Sequence, residues 1–345
     1  MSKIVKDISL VSMLNTLEGY RMSVWKLRAS MIGTLAVIFG LTTLAFMVIL
    51  QIFQVFNWAL LIFFAVAFNV IQWLIAPYII DALYRVKEVS RSEHPKLYEM
   101  VERLSRASGI KMPKVMLANV PIPNAFAYGS PIAGTRVAVT RGLLEILEDE
   151  EIEAVIGHEL GHLKHRDVQI MMFVSMLPAI FYYLGYSLMW ASMWGSRERE
   201  GGASYAIIGL ACIALYWILQ LFTLALSRLR EYYADQHSAS IVEDGARKLQ
   251  EGLAKIVHYS RGIKKRNPQV SSLNAFKALF ISDPDRAESD AVAISTMLRG
   301  GSDQKLVQEL LRRKLTTADR IMELFSTHPN IVKRLKALQE LRTST

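Results

Sequence analysis

Two uncharged apolar runs near the start of the chain narrow its possible folds more than any other feature. Met31 to Leu50 contains no Asp, Glu, Lys or Arg, and neither does Trp58 to Ile80. Each holds about 20 residues or more, enough for a helix to cross a hydrocarbon core ~30 Å thick. A buried hairpin in a soluble core is the plainer alternative, but soluble cores rarely hold two such runs. The link between them, Gln51 to Asn57, is also uncharged, whereas Lys26 and Arg28 precede the first run and Arg85, Lys87, Arg91 and Lys96 follow the second. Basic outer flanks orient a hairpin with both ends in the cytoplasm. Ile170 to Trp194, with Pro178 inside it, and Tyr205 to Leu226 form a second pair, followed by Arg228 and Arg230. The same rule points this pair the same way, although Gln220 and Pro178 also suit a membrane-dipping or buried hairpin.

The overall balance agrees. The chain has 345 residues, of which 52% are hydrophobic, too apolar for an ordinary soluble protein of this length. Its net charge of +9 comes from Lys and Arg that flank the apolar runs, as they do on the cytoplasmic side of membrane proteins. No signature of a nucleic-acid-binding module is present, so the basic charge is read against lipid and nucleic acid is set aside. Cys212 is the single cysteine, which excludes an intrachain disulfide and a cysteine metal cluster.

These boundaries divide the chain into five parts. Residues 1–30 are a cytoplasmic N-terminal segment, either a surface amphipathic helix or a solvated tail, and too mixed for a secretory signal. A transmembrane hairpin follows over 31–80. Residues 81–168 read as the first part of a soluble domain, 169–227 as the second hairpin, and 228–345 as the remainder of that domain. In the soluble parts, Pro95 to Ala107 has helical spacing, Lys114 to Val120 and Arg136 to Thr140 are short β-rich segments, and Asn124 to Gly129 lies between them. Gly262 to Gln269 reads as a basic loop and Asp283 to Asp290 as an acidic one, before helices over Lys305–Leu315, Thr317–Phe325 and a last one to Leu341.

The chemistry is concentrated in His158-Glu159-Leu160-Gly161-His162. Residues four apart on a helix sit nearly one above the other, so the two imidazoles present themselves to one point. Zinc accepts neutral imidazole nitrogens at about 2.0–2.1 Å. Glu159 lies beside that point and can take a proton from the attacking water. Asp149 reads as the N-cap of this helix, with Glu150 and Glu151 in its first turn, and the helix as running straight on into the third apolar run. His165 faces the same way as His158 but would close the open position if it too were a ligand; His94, His237 and His258 show no partner pattern.

A catalytic zinc needs a third protein ligand. Glu231 and Asp235 share one helical face, so Glu231 can ligate while Asp235 accepts from a ring N–H of a ligand histidine. The plainer reading pairs Glu231 with Arg228 on a solvated face. Two spans separate His162 from Glu231, and an even number of crossings returns the chain to the same side. The three residues can therefore meet, near the cytoplasmic interface.

Taken together, the paired spans, the H-E-L-G-H helix, Asn124-Ala125-Phe126-Ala127, the block from Ser227-Arg228 through Glu231-Tyr232 to Ala234-Asp235, and Ser326-Thr327-His328-Pro329 resemble the HtpX-type membrane zinc metalloproteases, relatives of the CAAX prenyl proteases. The resemblance implies His158, His162 and Glu231 as ligands of one Zn²⁺, Glu159 as base, and His328 and Arg334 as stabilisers of the developing oxyanion. Read on its own, an arginine on a terminal helix is solvated. Asn330 stands where the family usually has the second proline of His-Pro-Pro, which leaves the local turn open. Asn124–Gly129 and Arg136–Thr140 resemble the family's substrate-binding edge-strand region, with Asn124, Ala125, Phe126 and Ala127 as binding residues; a structural strand pair is the alternative.

The expected class is therefore a mainly α (α+β) integral membrane protein of four transmembrane helices with a zincin-like cytoplasmic catalytic domain carrying a small sheet. The expected activity is zinc-dependent endopeptidase action on polypeptides, chiefly membrane or misfolded proteins, in the plasma membrane with both termini inside. Two rivals are a prenyl-peptide processing protease and an inactive zinc-binding membrane scaffold.

Overall fold

The computed structural model describes residues 58–194, 202–266 and 303–342. The first apolar run, the N-terminal segment and the acidic 283–290 stretch lie outside the described residues. What is described is mostly helical with one small mixed sheet.

Helix α1 (Trp58–Tyr84) carries the second apolar run and ends against the sheet. The sheet contains β1 (Val86–Glu88), β2 (Lys114–Ala118), β3 (Ala125–Ser130) and β4 (Gly134–Thr140) in the order β1-β2-β4-β3. Only the β2–β4 pair is parallel. Side chains alternate between faces, and both faces are covered. Val115, Ala125, Val137 and Val139 face the main core, whereas Met116, Phe126, Tyr128 and Ala138 pack with Ile80 and Tyr84 at the end of α1. Asp81, the first charge after the apolar run, accepts from Tyr128 Oη at 2.6 Å and pairs with Arg136, which fastens α1 to β3 and β4.

Six helices complete the main core: α2 (Pro95–Ser108), the short α3 (Arg141–Ile146), α4 (Asp149–Lys164), α7 (Gly245–Arg266), α8 (Asp303–Arg312) and α10 (Ile331–Arg342). A short helix, α9 (Thr317–Leu324), lies between α8 and α10. Helix α7 continues through Gly262 to Arg266, so that part of the expected basic loop is helical instead. A buried ion pair links Lys255 on α7 to Glu151 on α4 at 2.8 Å.

Between α4 and α7 the chain makes a long hairpin, α5 (Asp167–Trp194) and α6 (Gly202–Ile241). Among the described residues, two stretches, Asp167–Tyr186 and Ala203–Ile241, are long and apolar enough to cross a membrane, with a shorter apolar stretch at Val70–Tyr84. Pro178 lies inside α5 without ending it. The hairpin closes on two glycines: a Cβ on Gly185 would come within 2.9 Å of Gly209 O, and one on Gly209 within 3.0 Å of Gly185 O. Small residues let the two backbones approach, as in packed membrane helices. With its 40 residues, α6 is about 60 Å long, twice a bilayer core. Its apolar part ends at Leu226, and the C-terminal part from Ser227 onward packs on α4.

Two elements depart from expectation. The cap of α4 is Glu148, one residue earlier than Asp149, because Glu151 reaches back to accept the Glu148 N–H at 2.9 Å. The motif helix also does not run on into the third apolar run. It stops at Lys164, and Arg166 takes a left-handed conformation (φ 54°) before α5 begins at Asp167. That break has a direct consequence for the site.

His237, on the C-terminal part of α6, is buried with its Nε2 2.9 Å from Ser108 Oγ on α2. Burial, with Lys164 and the neighbouring histidines, pushes it down to about 4. An unfolded histidine titrates near 6.5, so as pH falls the unfolded chain takes the proton first. This site is expected to cost the fold on the order of 3 kcal/mol between about pH 6.5 and 4. Thermal midpoints should fall over that window, and His237→Gln should flatten the fall. Identical acid slopes for the two proteins would show that His237 does not carry the effect.

Candidate metal centre

Two helices build the site from opposite sides. Helix α4 brings His158, Glu159 and His162, and the C-terminal part of α6 brings Glu231 and Asp235. Their approach depends on Gly161, where an added Cβ would stand 3.1 Å from Ala234 Cα and 3.2 Å from His237 Cβ. Ser238 then locks the pair by donating to Ala154 O at 2.6 Å.

The three expected ligand residues converge, with one Glu231 oxygen toward each imidazole. His158 Nε2 and His162 Nε2 are 3.2 Å apart, and the Glu231 oxygens lie 3.6 Å from the first and 3.5 Å from the second. Ligands about 2.0–2.1 Å from a tetrahedral ion are about 3.3 Å from one another, so these spacings fit a metal ion held by all three residues. The far side of each imidazole is held. His158 Nδ1 lies 2.8 Å from Asp235 Oδ1, and His162 Nδ1 lies 2.6 Å from Asp167 Oδ2. A carboxylate there fixes the proton on Nδ1 and leaves the lone pair on Nε2. Two such lone pairs facing each other at 3.2 Å repel, and a shared cation relieves them.

The charge balance points the same way. Burial pulls His162 down, but Asp167, Glu231 and Glu159 together lift it to about 9. The carboxylates that would hold a proton there favour a cation equally. Burial raises Glu231, yet His328 and Arg334 hold its carboxyl well below the usual range. Glu159 differs: burial pushes its carboxyl up to about 7, and its Oε2 accepts the backbone N–H of Ala127 at 2.8 Å.

Asp167 and Arg230 escaped sequence reasoning. Asp167 touches His162 only because the turn at Arg166 folds the chain back, and an unbroken helix would have carried it round the axis. Arg230 Nε, 2.9 Å away, neutralises its other oxygen. The remaining signal was five residues of spacing after His162, which means little without the break.

The C-terminal residues also reach the site. His328 Nδ1 is 3.2 Å from Glu231 Oε2, and His328 Nε2 has no hydrogen-bond partner among the described residues. Asn330 makes the turn its own way. Its N–H donates to Glu323 Oε1 and its Oδ1 accepts from Val332 N, both at 2.9 Å, starting α10. A proline could not make the first bond. Arg334 is buried, contrary to the solvated reading, because it has two carboxylates to neutralise it. It donates to Asp235 Oδ1 and Oδ2 at 2.6 and 3.0 Å and stands 3.1 Å from Glu231 Oε2. The solvated Arg228–Glu231 pair does not form; Arg228 donates to the carbonyls of Glu323 and Ser326.

Of the segments read as an edge region, only β3 lies at the sheet's edge, while β4 is paired on both sides. Asn124 O accepts from Thr140 N, so alternate residues Ala125, Ala127 and Gly129 turn their backbone groups outward. Ala127 faces Glu159, and Gly129 O is already taken by Trp73 Nε1 at 3.2 Å. The Phe126 side chain is buried on the α1 face of the sheet, so it offers an incoming peptide no side-chain contact. Asn124 is buried too, its N–H donating to Thr140 Oγ1. The His165 ring lies tilted by 54° against Tyr233, with centroids 4.0 Å apart, and stands outside the metal group.

A histidine pair on one helix, a buried carboxylate from a second, and an unligated glutamate against a sheet edge define a metallopeptidase of the H-E-x-x-H kind. Comparison with known sequences agrees. The profile described as Peptidase family M48 matches residues 91–342, and the chain belongs to that family. It is similar to a protease HtpX homolog of Thermoplasma acidophilum (39% identical over 285 residues, 80% of this chain and 83% of the relative). A protease HtpX homolog of Aeropyrum pernix is 40% identical over 284 residues, 80% of this chain and 84% of the relative. Its fold resembles the crystal structure of S. mikatae Ste24p (TM-score 0.51, 16% identity), covering 91% of this chain and 66% of that one.

Proposed function

We propose that the protein is a zinc-dependent membrane endopeptidase that hydrolyses membrane or misfolded proteins at the cytoplasmic face of the plasma membrane. The single observation that carries this reading is the cluster of His158, His162 and Glu231 with Glu159 beside it. Zinc held there supplies a Lewis acid for the peptide carbonyl and makes water a stronger acid. Glu159 would take a proton from the attacking water and return it to the leaving amine, a task suited to a carboxyl that burial pushes up to about 7. Asp235 and Asp167 orient the two imidazoles. Arg334 holds Glu231 and Asp235 in place, and His328 turns its free Nε2 toward the developing negative charge. An extended peptide lies along β3 at Ala125 and Ala127, pairing with the outward backbone groups other than the Ala127 N–H that Glu159 holds. Helices α5 and α6 cross the bilayer together with α1 and the first apolar run, which leaves the site at the inner interface.

The expected result is one zinc per purified chain. Chelation should abolish casein hydrolysis and added zinc should restore it. Full hydrolysis by a metal-stripped protein would overturn the reading, and activity confined to prenylated C-terminal peptides would favour the processing protease.

A further inference from the structure

Helix α9 is packed inside out. Its buried side chains are the acids Asp319 and Glu323. The first is paired with Arg313 at 3.1 Å, and the second with Lys333 and the Asn330 N–H, each at 2.9 Å. Its large apolar residues Ile321 and Met322, with Phe325 at the C-cap, point outward at 54%, 44% and 59% exposure. Spaced at i, i+1 and i+4, these three share one face of the helix.

The height of this face is given by Arg228. That residue stands two positions beyond Leu226, where the apolar part of α6 ends. It donates to Glu323 O and Ser326 O at 2.8 Å and to Leu324 O at 3.3 Å. The C-terminal end of α9 is therefore tied to the level at which α6 leaves its apolar stretch. Arg312, Lys314 and Arg320 lie exposed nearby in sequence, where anionic headgroups would meet them.

We propose that α9 is an interfacial anchor whose Ile321, Met322 and Phe325 sit in the headgroup–acyl boundary of the bilayer. The occupant of this face is lipid, because the face continues the apolar belt of a spanning helix and is flanked by cations. This rests on the reading that Tyr205 to Leu226 spans the membrane. Its consequence is positional: α9 leads directly into Ser326 and His328, so contact with the bilayer holds the segment that reaches Glu231.

The test uses the full chain in mixed phosphatidylcholine–phosphatidylglycerol vesicles. With Cys212 as the sole cysteine, a Cys212→Ala background allows a single nitroxide label to be placed by Phe325→Cys, Leu210→Cys or Lys111→Cys. Leu210 lies on the outward face of the apolar run at 63% exposure, and Lys111 is exposed in the soluble domain. Collision with oxygen should exceed collision with a water-soluble nickel chelate several-fold at residues 325 and 210, and the order should reverse at 111. The depth at 325 should be about 5–10 Å into the boundary. Water-like behaviour at 325 with lipid-like behaviour at 210 overturns the anchor alone. Water-like behaviour at both overturns the spanning reading. Low collision with both reagents at 325 means that another protein segment or a second copy covers the face, which also overturns the anchor.

Discussion

Glu159→Gln is expected to lose at least about 10²-fold in peptide hydrolysis, toward the 10²–10⁴-fold that a positioned general base contributes, while still binding one zinc. The substitution is close to isosteric. A glutamine oxygen can still accept the Ala127 N–H that Glu159 Oε2 now accepts, so the β3 edge keeps its place against α4. Glu159 is not among the three clustered ligand residues, so metal content should not change. What is lost is a group able to gain and give up a proton near pH 7, where burial has placed this carboxyl. Casein hydrolysis and metal analysis on the same preparation decide the matter. A variant with full metal and full activity would show that the proton moves through another group.

The second large effect concerns the three ligands. His162→Ala removes one of them and is expected to weaken zinc binding by well over the 10–100-fold typical of losing a group that orients a ligand. Asp167→Asn provides the graded comparison. The amide oxygen can still accept from His162 Nδ1, but the charge that raises ring basicity is gone, so a loss of about 10–100-fold in affinity is expected. It also leaves Arg230 buried without its partner, so circular dichroism must accompany the titration. Zinc affinity measured by competition with a chromogenic chelator separates the two variants. Equal, unchanged affinities would place the metal elsewhere.

Spacing alone puts His158 and His162 on one helical face, because the pitch of a helix does not depend on what surrounds it. The even count of apolar runs between His162 and Glu231 likewise requires no coordinates, only the fact that a chain crossing twice returns to its starting side. The apolar runs themselves are legible because no charge interrupts them. Asp167 was missed for the opposite reason. Its role depends on a two-residue break at His165 and Arg166, and nothing in the helical pattern announces that a non-glycine residue will adopt φ 54°. The resemblance gives Arg334 a place at the site, whereas its spacing alone reads as solvated, because a lone cation on a terminal helix normally is. Only the packing of α10 against α6 supplies the two carboxylates that make its burial affordable.

Spacing and pattern alone are enough for the local parts: two histidines and a base on one helix, a distant acid beyond an even number of apolar runs, and a strand segment near them. The tertiary structure alone decided the distances that make a site. The 3.2–3.6 Å ligand spacings, the aspartates behind each ring, the Asn330 turn that brings His328 to Glu231, and the outward apolar face of α9 all arise from contacts between segments far apart in the chain. Such contacts are set by packing and charge neutralisation in the folded molecule, and no local periodicity encodes them.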